Sequence, residues 1–141
     1  MTRLVVDASV AAKWLVRESW SEQALSLLDP ANDLLAPDLL LLEVGNVLWK
    51  KVRRGELTDT MAKERFAALL ELEVRLTGTQ DLANQALQLA LRTDRTVYDS
   101  LYLAVALAND CRVVTADERL ANALRNTEWR EQVVWLGEMS G

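Results

Sequence analysis

The chain has 141 residues, an apolar fraction of 50% and a net charge of −5, with 21 acidic residues against 16 Lys and Arg. This fits one domain with its own core, excludes collagen-like and low-complexity chains, and disfavours nucleic-acid binding through an overall basic surface. The single cysteine and the absence of histidine exclude disulfide frameworks, Cys-rich zinc sites, His-ligated metals and Ser-His-Asp centres. Any chemistry must therefore use carboxylates, hydroxyls, Lys, Arg or Tyr.

The predicted elements alternate between short apolar strands and helices. In chain order they are a strand at 4–6, helices at 9–16 and 22–28, a strand at 34–36, helices at about 37–54 and 58–72, a strand at 74–77, helices at 81–91 and 98–109, a strand at 112–115, a helix at 117–125 and a strand at 133–136. Ser9 is expected to cap the first helix, and Pro37 to lie in the first turn of the third. The pattern predicts an α/β domain with a short central parallel sheet flanked by helices.

The sequence has no recognisable targeting or membrane segment. Its longest uninterrupted apolar stretch, 101–108, is far shorter than the ~20 residues that cross a bilayer. The apolar run near the N-terminus is too short for a signal peptide. We therefore expect a single cytoplasmic domain spanning 1–141, without a membrane partner.

Four acidic residues stand out by their positions. Asp7 directly follows the first predicted strand, and Asp117 follows the fourth by two residues, so both should lie at the carboxyl edge of the sheet. Glu43 and Asp99 lie within apolar segments, where carboxylates are rarely buried unless they are paired or bind a cation. Taken singly, each acid is equally well explained as a helix cap or an exposed side chain; their combination favours a common site.

Carboxylates that converge from four segments repel one another or recruit a cation. Oxygen ligands without nitrogen or sulfur suit hard ions such as Mg²⁺ or Mn²⁺. Three polar residues near the acids in sequence are candidates for orienting them, although ordinary capping explains them equally well: Ser9, Asn46 and Thr115.

Four motifs resemble the PIN-domain family in the order in which they occur: VVDASV at 5–10, PDLLLLEVGN at 37–46, YDSLYLA at 98–104 and VTADERL at 114–120. The resemblance covers essentially the whole chain, and the short length resembles the VapC-type toxins of toxin–antitoxin pairs. It implies a Mg²⁺- or Mn²⁺-dependent endoribonuclease that acts on RNA, forms a homodimer and is neutralised by a small antitoxin. Carried over by position, its acidic residues are Asp7, Glu43, Asp99 and Asp117.

Without histidine, a bound metal must lower the pKa of the attacking water, and Glu43 is the candidate for positioning or deprotonating that water. Carboxylates and Mg²⁺ would equally serve another metal-dependent phosphoryl hydrolase or a DNA nuclease. An inactive PIN-like interaction protein is a further alternative, which the intact acidic set disfavours. A receiver-like signalling module is disfavoured because no Lys follows Lys63.

Two surface features could serve partners. The basic run 50–54 is either an RNA-phosphate contact or a solvated helix end, and Arg92, Arg95 and Arg119 are candidates for the rim of the site. Four apolar residues could form either a groove for an antitoxin helix or part of the core: Trp14, Leu15, Trp49 and Val52.

Overall fold

Five short parallel strands form the centre of the fold in the computed structural model, which describes residues 2–139. They are β1 (Thr2–Val6), β2 (Asn32–Pro37), β3 (Val74–Thr77), β4 (Arg112–Thr115) and β5 (Val133–Trp135). Their order in the sheet is β3-β2-β1-β4-β5, and every neighbouring pair is parallel. The predicted α/β class with a central parallel sheet is confirmed.

Seven α-helices and two 3-10 turns flank this sheet within residues 2–139. The helices are α1 (Ala8–Leu15), α2 (Ser21–Ser26), α3 (Leu39–Arg53), α4 (Asp59–Glu71), α5 (Thr79–Thr93), α6 (Val97–Ala108) and α7 (Glu118–Arg125). In this part of the chain, none of the helices has the length and apolar character needed to cross a membrane.

The core lies on both faces of the sheet because successive strand side chains point to opposite sides. Val5 packs on one face with residues of α3 and α6 such as Val44 and Tyr102. Its neighbours Leu4 and Val6 pack on the other face with α2 and the C-terminal 3-10 turn. Both faces of β1 are thus covered, which explains why its second half reads as a continuous apolar run.

Two local predictions were wrong. Pro37 is the last residue of β2 and pairs with Thr77, because the residue before a proline is held extended and the strand continues through it. The third helix begins only at Leu39. Ser9 is inside α1 and does not cap it; the cap is Asp7, whose side chain accepts the backbone N–H of Val10.

Candidate active site

The parallel pairing of β1 with β4 brings two candidate segments to one edge of the sheet. Val6 lies opposite Val114, and the backbone N–H of Asp7 donates to the carbonyl of Val114 at 3.3 Å. Asp7 is therefore anchored at the carboxyl end of β1 beside Thr115, the last residue of β4. The structure therefore contains the predicted convergence of the two strand ends.

Asp7 is the most deeply buried of the four acids, with only 6% of its surface exposed. Its Oδ1 accepts hydrogen bonds from Ser9 Oγ at 2.6 Å and from the Val10 N–H at 3.2 Å. The pKa of Asp7 is raised to about 6, chiefly by burial and to a smaller extent by the nearby charge of Asp99, against the lowering effect of hydrogen bonds from Ser9, Thr115 and Val10. A carboxyl in this position titrates close to neutral pH.

Ser9 and Thr115 form a hydroxyl bridge between the two strand ends. Ser9 Oγ accepts the backbone N–H of Ala116 at 2.9 Å and lies 3.4 Å from Thr115 Oγ1. Thr115, which is fully buried, accepts the backbone N–H of Asp117 at 3.0 Å. These contacts connect Asp7 to the turn that carries Asp117. They fit the predicted role of both hydroxyls in orienting the two acids.

Glu43 reaches the same region from the middle of α3. Tyr102, on α6, donates its hydroxyl to Glu43 Oε1 at 2.5 Å. Burial raises the pKa of Glu43; the hydrogen bond from Tyr102 lowers it, and the neighbouring charge of Asp99 raises it again. Glu43 is thus held beside the other acids instead of extending freely into solvent.

Asp99 lies in the first turn of α6, where the helix dipole favours a negative charge. It is not the cap of that helix, because Thr96 accepts the Asp99 N–H at 3.0 Å and occupies the capping position. Its Oδ2 accepts a hydrogen bond from Arg95 Nη2 at 3.0 Å. Because Thr96 caps the helix, the Asp99 carboxylate is available for a role other than capping.

Asp117 is more exposed than Asp7 and Asp99. Its carboxylate caps α7 by accepting the Arg119 N–H at 3.0 Å, and about a third of its side chain is exposed. Arg95 Nη2 is 4.0 Å from Asp117 Oδ2, so one guanidinium lies between Asp99 and Asp117. The structure thus groups Asp7, Glu43 and Asp99 closely and joins Asp117 to them through Arg95.

Asn46 lines a cleft together with Glu43 on the surface of α3, and its side chain is exposed. In the described part of the chain, its amide forms no hydrogen bond to any of the four acids. Two other partners went unnoticed in the sequence, Tyr102 as the donor to Glu43 and Arg95 as the counter-ion of Asp99. Their only signal is spacing: Tyr102 lies three residues after Asp99 on the same face of α6, and Arg95 lies four residues before Asp99, just ahead of the helix.

The donor set suits a hard divalent cation in its chemistry. Three carboxylates converge, and the charge of Asp99 raises the pKa of both Asp7 and Glu43, which is the repulsion that a cation relieves. Within the described residues 2–139, no three of these carboxylates lie close enough to one common position to hold an ion. Each acid is instead engaged by an internal donor, so the carboxylates would have to reorient around a metal.

The family of the chain follows from comparison with known proteins. The model of the PIN domain matches residues 4–125. The chain belongs to the PIN-domain family. The resemblance noted in the sequence is therefore confirmed over most of the chain.

Several proteins resemble this PIN domain over nearly their whole length. Ribonuclease VapC3 of Pyrobaculum aerophilum is 37% identical over 121 residues, which cover 84% of this chain and 92% of that protein. Ribonuclease VapC1 of Mycobacterium tuberculosis is 35% identical over 124 residues, covering 87% and 92%. A toxin–antitoxin complex from Klebsiella pneumoniae has the same fold, with a TM-score of 0.64, 16% identity and coverage of 96% and 99%.

The basic residues do not form one patch. Lys51 lies near Glu18 and Glu56, whereas Arg53 stacks over Trp49, so in the run 50–54 these two are engaged locally. Lys50 is exposed and lines the cleft beside Glu43. Of the three rim arginines, Arg95 and Arg119 lie beside candidate acids, whereas Arg92 pairs with Glu128 and covers Trp129.

The apolar groove differs from its predicted composition. Trp49 and Val52 line it on α3, opposite Phe66 and Leu70 of α4. Trp14 and Leu15 instead pack against the core, where the Trp14 indole N–H donates to the Ala24 carbonyl at 2.7 Å. The indole of Trp14 needs a buried partner for its N–H, and the α2 backbone supplies one.

Proposed function

We propose that this PIN domain is a VapC-type endoribonuclease, the toxin component of a type II toxin–antitoxin pair. The observation that carries the proposal is the convergence of Asp7, Glu43 and Asp99 at the carboxyl edge of the sheet. Relatives named as VapC ribonucleases, at 35% and 37% identity, support the same activity. We further propose that residues 1–141 form a single PIN unit, which the fold of residues 2–139 and the four motifs support.

The proposed site binds Mg²⁺ or Mn²⁺ through Asp7, Asp99 and Asp117, with Glu43 on a second ion or on its water. When bound, the divalent cation supplies a water of lowered pKa and offsets negative charge on the phosphodiester. Asp7 holds its carboxylate in a fixed orientation, because Ser9 and the Val10 N–H both bind the same oxygen. The contact between the Ser9 and Thr115 hydroxyls helps to maintain that orientation. Asn46 lines the cleft beside Glu43, where its amide would bind a water.

Glu43 is the proposed group that positions or deprotonates the attacking water. Its half-buried location raises its pKa, which brings a carboxylate closer to the range in which it accepts protons efficiently. Tyr102 fixes one carboxylate oxygen by its 2.5 Å hydrogen bond, so the other oxygen remains available to the water. The protein therefore orients its base with a hydroxyl donor instead of a histidine.

The proposed antitoxin binds the groove between α3 and α4. Trp49 and Leu70 are more than half exposed there, and the lining is almost wholly apolar, which suits the apolar face of a helix. A toxin that acts on cellular RNA and is held by an antitoxin works in the cytoplasm. We further propose a homodimer, as the family resemblance implies.

The test is to incubate the purified protein with total cellular RNA in Mn²⁺, alongside Asp99→Asn and a matched control, Glu64→Gln. Glu64 is an exposed acid on α4, so its neutralisation changes net charge without touching the site. We expect discrete RNA cleavage by the wild type and the control, lost in Asp99→Asn. Single-stranded DNA and a phosphomonoester serve as parallel substrates.

Identical cleavage patterns from the wild type and Asp99→Asn would contradict the proposed site. Preferential hydrolysis of DNA or of the phosphomonoester would replace the ribonuclease by one of the other metal-dependent phosphoryl hydrolases. Loss of cleavage in Glu64→Gln as well would mean that net charge, not the site, controls the reaction.

A further inference from the structure

A cleft opens directly beside the acids and has no role in the proposed mechanism beyond Glu43 and Asn46. We call it the flanking cleft, and its lining includes Ala8, Leu42, Glu43, Asn46, Lys50 and Tyr98. It is separate from the groove between α3 and α4, whose lining residues are different. Its lining combines apolar, amide and cationic side chains on one small surface.

The flanking cleft is built from the immediate neighbours of the acids. Ala8 follows Asp7, Leu42 precedes Glu43, and Tyr98 precedes Asp99. Three separate segments thus contribute one acid to the cluster and the adjoining residue to the cleft. A molecule in the cleft therefore lies next to whatever group the acids act on.

Two large apolar side chains are exposed in the flanking cleft. Tyr98 is 62% exposed on α6 and Leu42 is 74% exposed on α3. Exposed aromatic rings beside a nucleic-acid site serve as stacking platforms for unpaired bases, and each stacked base contributes appreciably to affinity. The ring of Tyr98 has the exposure that such stacking requires.

The polar groups of the flanking cleft lie along one face of α3. Glu43, Asn46 and Lys50 follow at spacings of three and four residues, which places them in a row on that helix. The Asn46 amide offers both donors and an acceptor to a base edge. Lys50 forms no ion pair within residues 2–139, so its ammonium is available to a phosphate.

We propose that the flanking cleft is a nucleotide subsite that holds one unpaired RNA nucleotide next to the scissile phosphate. The base stacks on Tyr98 and contacts Leu42, its edge meets Asn46, and the adjoining phosphate meets Lys50. The lining favours a nucleotide as the occupant, because the exposed Tyr98 ring suits a base and the Lys50 ammonium suits a phosphate. This inference rests on the proposed function and names the form of its substrate.

The test uses the Asp99→Asn protein, which keeps RNA intact during the measurement. Its binding to a fluorescein-labelled, random-sequence, single-stranded RNA 12-mer in Mg²⁺ is measured by anisotropy. Tyr98→Ala in that background should weaken binding by about tenfold, as expected for the loss of one stacked base, and Tyr98→Phe should retain the parent affinity. Leu87→Ala removes an exposed apolar side chain from α5, outside both the flanking cleft and the groove between α3 and α4, and should leave RNA binding unchanged.

The single-stranded form of the substrate is tested with a duplex RNA of the same length. We expect Tyr98→Ala to leave duplex binding within twofold of the parent, because paired bases cannot stack on the ring. Equal weakening with both RNAs, or single-stranded binding by Tyr98→Ala within twofold of Tyr98→Phe, would overturn the inference while the proposed function stands. Failure of the Asp99→Asn parent itself to bind either RNA would contradict the proposed function together with the subsite.

Discussion

The candidate site has two sides that are constructed differently. On the strand side, Asp7 is buried and its carboxylate is fixed by Ser9 and a backbone N–H. On the helix side, Glu43 and Asp99 are partly exposed and are held by single side chains, Tyr102 and Arg95. The Asp7 carboxylate on the strand side is therefore held in one orientation. The contacts on the helix side can be exchanged for contacts with a metal or a substrate.

The largest effect should come from the strand side. Asp7→Asn preserves the acceptor for both Ser9 and Val10 but removes the charge. We expect RNA cleavage to fall by at least about 100-fold, since even residues outside a metal's direct ligands cost 10- to 100-fold. Cleavage rates in Mn²⁺, with Glu64→Gln as the control, measure this; a loss smaller than tenfold would mean that Asp7 is only a helix cap.

The same substitution should stabilise the fold at neutral pH and lose that effect in acid. The pKa of Asp7 is about 6 in the folded protein against 3.8 as the ordinary value, so folding becomes less favourable as pH rises from about 4 through 6. The full cost, about 3 kcal/mol, is present above pH 6 and absent below pH 4. In EDTA, Asp7→Asn should therefore melt higher than the wild type at pH 7.5 and equally at pH 4; a constant difference would contradict the buried charge.

Removing one hydroxyl from the strand side and one from the helix side compares how much each contributes to the free energy of unfolding. Ser9→Ala removes one of the donors to the buried Asp7 carboxylate and leaves the Ala116 N–H without its acceptor, which should destabilise the fold by about 1–3 kcal/mol. Tyr102→Phe removes a donor from the partly exposed Glu43, where water can replace it, so we expect about 0.5–1.5 kcal/mol. Urea unfolding measures both, and a larger loss for Tyr102→Phe would invert the comparison.

The smallest expected effect concerns Arg95, the cation between Asp99 and Asp117. A divalent ion placed among these acids is repelled by the guanidinium, so Arg95→Gln should bind Mn²⁺ more tightly, by about fivefold for a divalent ion and a unit charge about 8 Å apart in a water-like medium. Calorimetric titration measures the affinity, and Arg95→Lys, which keeps the charge, should stay close to the wild type. Weaker binding by Arg95→Gln would mean that Arg95 positions Asp99 for the ion.

Sequence reasoning predicted what depends on local pattern. The strands at 74–77 and 112–115 match the structure, because each is a short β-rich run with a clear helix on either side. The meeting of Asp7 with the Thr115–Asp117 turn followed from a general property of parallel sheets. Both predictions needed only the order of elements along the chain.

What the sequence did not predict depends on side-chain direction across long separations. Tyr102 and Glu43 are 59 residues apart, and nothing in either segment alone indicates that they share a hydrogen bond. The sequence left Trp14 open between a groove and the core, because its apolar character fits both; only the position of the Ala24 carbonyl decides between them. The roles of the individual site residues remain predictions for the experiments above.

The most direct test of the metal-dependent site is a crystal structure of the protein grown with Mn²⁺, with the ion located by its anomalous scattering. The account predicts a peak in contact with Asp7 and Asp99, with the Arg95 guanidinium withdrawn from Asp99. A peak bound elsewhere, or an Arg95–Asp99 contact kept at 3.0 Å without a peak at Mn²⁺ concentrations that support cleavage, would contradict it.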